Sequence, residues 1–491
     1  MFQKPPQFVA IQRPTGIAGE FTNVVYEVEL EPLVIQKGSF VLKKINETHQ
    51  PYTAGLPFLH KGFFDSHLHV SGISWAKENV DLQNTANPVA LVERLQNATP
   101  NNQGFVSGFG WNESDWKTTN LDLNKVFHNR LPEHAPIYAK RICAHSALVN
   151  EAFKKWINEA DLPTFVTDKD LILIESKLAP IDKFRAKKWI LEAQDQLIAR
   201  NITAVGDMSL DAAHVDALKD IAAEGLLKID FQGVIDAGKV PELERTGPQT
   251  FTNTNDLGPL GRPAQVQLRH WKKYLDGSFG SRTAWLSTMY SDQESFGESI
   301  ENLDVLVSQS NEALKKGFYL SFHTIGDASL DQAIRLGEKL FQKLSTHSQL
   351  SGDSQLKAST HRLEHAQMIR ADQILQLQRQ NFWTLCLQPH HRLADQSFIR
   401  ARLGERRLNE EAYRLASLIR NGISVTLSSD APIDDFTPLK VIEACLNDSR
   451  ADEKLTFEEI LWNYTTGSRL RLGLAPGLIE LNATVFLTPY M

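Results

Sequence analysis

Gly62-Phe63-Phe64-Asp65-Ser66-His67-Leu68-His69-Val70 is the stretch on which the fold turns. Its apolar run reads as a buried strand that gives up its apolar character only where it ends. Residues two apart on a strand share a face, so the imidazoles of His67 and His69 can reach one ion. Neutral imidazole suits Zn, Fe, Mn or Ni. Two histidines two apart are also common by chance, so the motif alone leaves both readings open.

Downstream of this stretch, strand-like and helix-like segments alternate, the pattern of βα units around a parallel sheet. Strands are predicted at Phe105–Gly108, Ile137–Arg141, Thr203–Asp207, Ile229–Ile235, Val266–Tyr274, Tyr319–His323, Arg362–His365, Trp383–Leu387 and Ser424–Ser428. Helices are predicted between them, among them Ile181–Arg200, Ala212–Glu224, Leu330–Leu344, Ala371–Gln380 and Glu410–Asn421, each with apolar residues at a helical period. With the strand around His67 this makes ten strands, where a (β/α)8 barrel needs eight. Assigning residues 80–178 to an insertion after the first strand absorbs two of them. Residues 1–60 hold short β-type runs, Asn23–Leu30 and Phe40–Lys44, and read as a small β module. Gly247–Pro263 and Ser345–Thr360 read as surface loops.

Further polar residues fall at the C-terminal ends of these strands. His323 closes Tyr319-Leu320-Ser321-Phe322-His323, His365 closes Arg362-Leu363-Glu364-His365, and Asp430 follows Val425-Thr426-Leu427-Ser428-Ser429. Barrel active sites assemble at that end, where the strands converge and the loops leave room for a substrate. Separately satisfied core histidines are the competing explanation, and the shared placement weighs against it. Lys272, in a strand running into Asp276-Gly277-Ser278, is the next candidate. A lysine turned into a barrel is costly unless paired or chemically altered. Desolvated, it loses its proton readily and takes up CO2, and the carbamate can bridge two metal ions. Lys273 suits a solvated position better.

The chain has 491 residues, 42% hydrophobic and 23% charged, ordinary globular composition with material for one enlarged barrel and an accessory domain. A formal net charge of −7, with no concentrated basic stretch, argues against a general nucleic-acid binder. Cys143, Cys386 and Cys445 are too far apart for a disulfide framework or a metal-ligand pair, which suggests a reducing compartment. No apolar h-region opens the chain and no 18-residue apolar run follows, so a cytoplasmic protein without a membrane span is expected.

Taken together, the strings resemble the amidohydrolase superfamily, specifically amidohydrolase family 3 and its YtcJ-like and N-substituted formamide deformylase-like branch. The matching strings begin with Gly62 to His69, Gly110-Trp111-Asn112-Glu113-Ser114-Asp115-Trp116 and His145-Ser146-Ala147-Leu148-Val149-Asn150. They continue with Lys272 through Asp276-Gly277-Ser278-Phe279-Gly280-Ser281-Arg282-Thr283-Ala284, His323-Thr324-Ile325-Gly326-Asp327 and Arg362-Leu363-Glu364-His365-Ala366-Gln367. Last come Ser429-Asp430-Ala431-Pro432 and Leu455-Thr456 through Tyr464-Thr465. They occur in the family's order over about residues 62–474.

The resemblance implies an α/β chain: a distorted (β/α)8 TIM barrel over residues 61–474. A small β-sandwich would come from both chain ends, residues 1–60 and 475–491, and the insertion would cover the active site. It implies two divalent metals, zinc before iron or manganese. His67, His69 and Asp430 would hold one, His323 and His365 the other, and carboxylated Lys272 would bridge them. The expected chemistry is hydrolysis of a C–N bond in a small amide, N-formyl or cyclic amide substrate by a metal-activated hydroxide, with Asp430 carrying the proton to the leaving amine. Trp111, Glu113, His145 and Arg282 are the candidates for substrate contact, each with a loop-folding role as the alternative. A small-molecule substrate is the expected partner, and a homodimer is compatible with the fold.

Three departures from the family pattern stand out. Cys143-Ala144 replaces the usual Asp-Gly, Lys61 replaces a proline, and Thr484 stands for an Asp in a short C-terminus. A deaminase of the same superfamily is the nearest rival, though deaminases commonly lack the bridging lysine. A regulatory protein on a hydrolase scaffold, such as an exoenzyme regulator, is the other.

Overall fold

The computed structural model describes residues 8–14, 21–32, 39–48, 58–60, 62–113, 116, 123–131, 135–253, 262–346, 361–380, 383–474 and 484–488. Its centre is a parallel barrel of eight strands: β1 Phe63–Leu68, β2 Ile202–Leu210, β3 Asp230–Asp236, β4 Gln265–Tyr274, β5 Tyr319–Thr324, β6 His361–His365, β7 Trp383–Leu387 and β8 Ser424–Leu427. Neighbours pair in that order from β1 to β8. The remaining seam is closed by irregular contacts. Ser66 Oγ donates to the Leu427 carbonyl at 3.0 Å, and beyond the strands the Asp430 N–H reaches the His67 carbonyl at 2.8 Å. This seam is where the barrel is distorted. Gly206 in β2 shows how closely the strands approach, since a Cβ there would lie 2.0 Å from the Ser66 carbonyl oxygen.

Strand alternation sorts the side chains into two layers. Leu320, Phe322, Leu363, Leu385, Val425 and Leu427 join the main apolar core beneath the surrounding helices. Helix Lys183–Ile198 shows how that layer forms. Asp182 caps it by accepting from the Arg185 N–H, and Ala186, Trp189, Ile190, Ala193 and Leu197 make one buried stripe. Each fully buried large apolar side chain of this kind contributes about 1.5–3 kcal/mol. The inner layer is polar instead: Ser66, Gln232, Ser321, Arg362, Glu364 and Thr426 are all buried.

Phe105–Gly108 and Ile137–Arg141 lie outside the barrel. The observed strands Val106–Trp111 and Ile137–Arg141 belong to a separate five-stranded sheet with Val80–Asp81, Ser146–Val149 and Phe165–Thr167, inserted after β1. It has its own core, including Leu82, Leu91, Val106, Trp111, Phe127 and Leu148. At the chain ends, strands Phe8–Pro14, Phe21–Pro32, Ser39–Thr48, Phe58–His60 and Thr484–Thr488 form one closed sheet. Its pairing is that of a single closed sheet rather than of two stacked ones, and Thr484–Thr488 sits between the third and fourth of these strands.

The helix expected over Glu410–Asn421 is corrected to Ala416–Arg420, preceded by a segment Ile399–Glu410 broken at Gly404. Tyr413 has φ of 50°, and Ala412 forms a β-bridge with Met368, so the chain cannot stay helical between them. The loop expected at Gly247–Pro263 contains a strand, Gln249–Thr252, paired with β4, and its residues 254–261 lie outside the described residues. Most of Ser345–Thr360, together with Lys61, Ser114 and Asp115, also lies outside them. Among the described residues no helix is long and apolar enough to cross a membrane.

Candidate metal centre

Asp430 stands at the focus of the C-terminal end of the barrel. Its Oδ1 lies 3.3 Å from His67 Nε2 and 3.6 Å from His69 Nε2, and its Oδ2 lies 3.8 Å from His391 Nε2 and 3.9 Å from His365 Nδ1. Two backbone features aim these groups. Asp430 has φ of 59° and His365 φ of 71°, left-handed conformations that turn both side chains off the strand pattern and into the mouth. Strict alternation would have sent His365 outward with Leu363.

A polar network under the mouth fixes the rings. His67 Nδ1 is 2.6 Å from Glu364 Oε2, and Glu364 in turn accepts from Ser321 Oγ at 2.7 Å and from Arg362 Nε at 2.7 Å. Burial alone would raise Glu364, but the Arg362 guanidinium and His67 hold its carboxyl well below the usual carboxylate range. An ionised Glu364 accepts the hydrogen bond from His67 Nδ1–H. Against the pull of burial, Asp430 and Glu364 raise His67 above the ordinary imidazole value, so a cation would displace a proton to meet Nε2. That atom is buried with no hydrogen-bond partner. Gln388 treats His365 in the same way. Its amide nitrogen donates to the Cys386 carbonyl and Ser428 Oγ, so its oxygen takes the His365 Nδ1 proton at 2.9 Å. Burial depresses His365 and His323 well below the usual imidazole range, which keeps both neutral.

His323 stands beside this set. Its ring centroid is 4.6 Å from that of His365, and its Nε2 meets the Gly277 carbonyl at 3.1 Å. Asp276 pins that loop by accepting from the Ile325 and Gly326 N–H groups at 3.0 and 2.8 Å. Lys272 is buried in β4 with Nζ 3.5 Å from Ser209 Oγ and 4.8 Å from the centre of the Tyr274 ring. Burial lowers its amine below the ordinary lysine value. Lys273 takes the opposite face and pairs with Glu301.

Among the four substrate-contact candidates, His145 comes nearest, its ring 5.1 Å from that of His323. It carries the inserted sheet to the mouth of the barrel. Glu113 is bonded to Arg141 at 2.8 Å, and Arg282 to Asp292 at 3.0 Å. The Trp111 indole is wholly buried in the inserted sheet's core, with Nε1 donating to the Ala139 carbonyl, and presents no face to a substrate. His391 escaped the sequence reading, as did the roles of Glu364, Arg362 and Gln388. The signal for His391 was present: Gln388-Pro389-His390-His391 directly follows the predicted strand Trp383–Leu387.

The donor chemistry fits a divalent cation. His67, His69 and Asp430 form one group, and His365, His391 and Asp430 another, each with ligand atoms within 4.8 Å of one another. Imidazole and carboxylate are the ligands such ions prefer.

Comparison with known proteins gives the family and the fold. A family model described as an amidohydrolase family matches residues 62–481. The putative amidohydrolase YtcJ of Bacillus subtilis (strain 168) is 27% identical over 461 residues, 87% of this chain and 80% of that protein. The protein LONG AFTER FAR-RED 3 of Arabidopsis thaliana is 22% identical over 414 residues, 78% of this chain and 68% of its own. The fold is shared with uncharacterized metal-dependent hydrolases of Pyrococcus furiosus and Pyrococcus horikoshii OT3. Their TM-scores are 0.68 and 0.69 at 23% and 22% identity, with 98% of this chain and 97% of each covered. With most of its length matched by the family model, the chain belongs to the amidohydrolase family, and with it to the hydrolases.

Proposed function

We propose that the chain is a metal-dependent amidohydrolase that cleaves a C–N bond in a small amide, N-formyl or cyclic amide substrate. The observation that carries this reading is one buried carboxylate, Asp430, set among four imidazoles at the end of the barrel where such enzymes work. His67, His69 and Asp430 would hold one ion and His323 and His365 a second, with a carbamate on Lys272 between them. Bound there, divalent metal, zinc by preference, supplies a Lewis acid and a water of lowered pKa.

The chain's own residues do the rest. Burial would raise Asp430, but His67 above all holds its carboxyl well below the usual range, so it is ionised at neutral pH. It accepts the proton of the attacking water and delivers it to the leaving nitrogen. His145, its ring 5.1 Å from that of His323, would contact the substrate.

A screen of N-acyl, N-formyl and cyclic amides with zinc-loaded protein tests the activity. Protein that retains no metal after gentle purification would favour the regulatory class instead. Changing His67 and His69 together to Ala should empty at least one metal position, as read by elemental analysis. Unchanged metal content in that variant would refute the ligand assignment.

The lysines give a second expected result. Lys272→Ala should lower both metal content and turnover, with partial rescue by short carboxylic acids that replace the carbamate. Lys273→Ala removes a partly exposed ion pair with Glu301, worth about 0–1 kcal/mol, and should leave metal content unchanged. Equal metal content in the Lys272→Ala protein and the wild type would remove the carbamate from the site.

A further inference from the structure

His391 is a buried imidazole of the second donor group that the proposed ligand set does not use. It follows β7 at the start of the short helix His391–Ala394, and its ring stacks over that of His365 at 6.2 Å. Its Nε2 is buried and has no hydrogen-bond partner. Asp430 Oδ2, at 3.8 Å, is the acid it faces, beyond hydrogen-bonding distance. A histidine that merely filled the core would have found a partner for that atom.

The other ring nitrogen is held. His391 Nδ1 lies 3.0 Å from the side-chain amide of Gln367. The Gln367 atom that meets it is the amide nitrogen; a half-turn of that amide brings its oxygen to the ring, where it would accept from Nδ1–H and leave Nε2 as a lone-pair donor for a cation. His67 and His391 thus each have Nδ1 in a hydrogen bond, that of His67 with Glu364, and a buried Nε2 without a partner, while His365 has Nδ1 held by Gln388.

The spacing suits metal ligands. Around a tetrahedral ion with bonds of about 2.0–2.1 Å, neighbouring ligand atoms stand roughly 3.3 Å apart. The contacts from Asp430 to Nε2 of His67, His69 and His391 are 3.3, 3.6 and 3.8 Å, close to that edge. They are also divided between its two oxygens, Oδ1 toward His67 and His69 and Oδ2 toward His391. Neighbouring His390 is turned the other way: its Nε2 meets the Ser429 carbonyl at 3.1 Å, and Nδ1 is its nitrogen without a partner.

We infer that His391 is a metal ligand: it joins His365 at the second cation position, and Asp430 links the two positions by giving one oxygen to each. This rests on the metal-dependent reading above and adds to it a ligand and a bridge. It also places the loop after β7 in the metal centre, so that strand, too, contributes to the site.

Metal stoichiometry and cobalt spectroscopy on the full chain test it. Wild-type protein loaded with zinc should hold about two equivalents and His391→Ala about one, with the far-ultraviolet circular dichroism unchanged. His391→Cys loaded with cobalt(II) should gain a sulfur-to-cobalt charge-transfer band that cobalt-loaded wild type lacks. That band decides the matter if the alanine variant does not fold. Two equivalents in wild type and in His391→Ala, with no band in His391→Cys, would overturn the ligand role alone. One equivalent in wild type, unchanged in the variant, would overturn it as well. Wild-type protein that binds no metal would overturn this inference and the proposed function together.

Discussion

Asp430→Asn is expected to fold as the wild type does and to lose nearly all turnover. Asparagine is the right probe because position 430 has φ of 59°, a left-handed conformation that Asn adopts readily and most other residues resist. The backbone bond from the 430 N–H to the His67 carbonyl, which helps close the barrel seam, is kept. What goes is the negative charge facing four imidazoles and the oxygen that accepts a proton. Loss of a general base alone costs about 10²–10⁴-fold in rate. The loss of a ligand charge adds to that, so the deficit should lie at or beyond the upper end. Turnover with the best substrate from the amide screen, alongside metal content and thermal melting, checks the expectation. Wild-type turnover in the variant would take Asp430 out of the mechanism.

The barrel was legible because its strands obey two simple rules. Each is a short apolar run bounded by turns, and each active-site candidate sits at a run's C-terminal end. His323 and Lys272 follow directly from strand alternation, and so does the outward turn of Lys273, whereas His67 turns inward beside Ser66 where the first strand's register shifts. His365 and Asp430 reach the centre by another route, through positive φ angles that no periodicity encodes. They were found by their place at strand ends, not by the face they should have taken. The polar interior was harder to see. Arg362 and Glu364 were visible as letters of a string, but their meaning depends on Gln232, Ser66 and Ser321, three strands brought together only by closure of the barrel. His391 was missed for a related reason: its place just past β7 was visible, but it lies in a helix start, where strand alternation does not say which way it turns. Trp111 went the opposite way. It stands in a string typical of the family, and the inserted sheet uses it for packing.

Arg362→Met should be the most destabilising single change in the barrel interior. The guanidinium is fully buried beneath the candidate metal centre. It donates to Glu364 Oε1 at 2.7 Å and Oε2 at 3.1 Å, to the Ser66 carbonyl at 2.5 Å and to Gln232 Oε1 at 2.9 Å. Methionine fills similar space but returns none of these bonds, and it leaves the Glu364 carboxylate buried with its main counter-charge gone. Breaking a buried pair in this way costs about 3–5 kcal/mol. Removing the charge as well should recover part of that loss, so Arg362→Met with Glu364→Gln is expected to be more stable than Arg362→Met alone. The two sites share a network, and a coupling of about 0.5–3 kcal/mol between neighbours of this kind is usual. Denaturant midpoints of the metal-free proteins, taken in the presence of a chelator, separate folding from metal binding. The Glu364→Gln variant should show the complementary effect. With the His67 Nδ1 proton less firmly held, metal affinity should fall by about 10–100-fold. If Arg362→Met unfolds at the wild-type midpoint, the network does not hold the barrel interior together, and Glu364 must draw its ionised state from His67 alone.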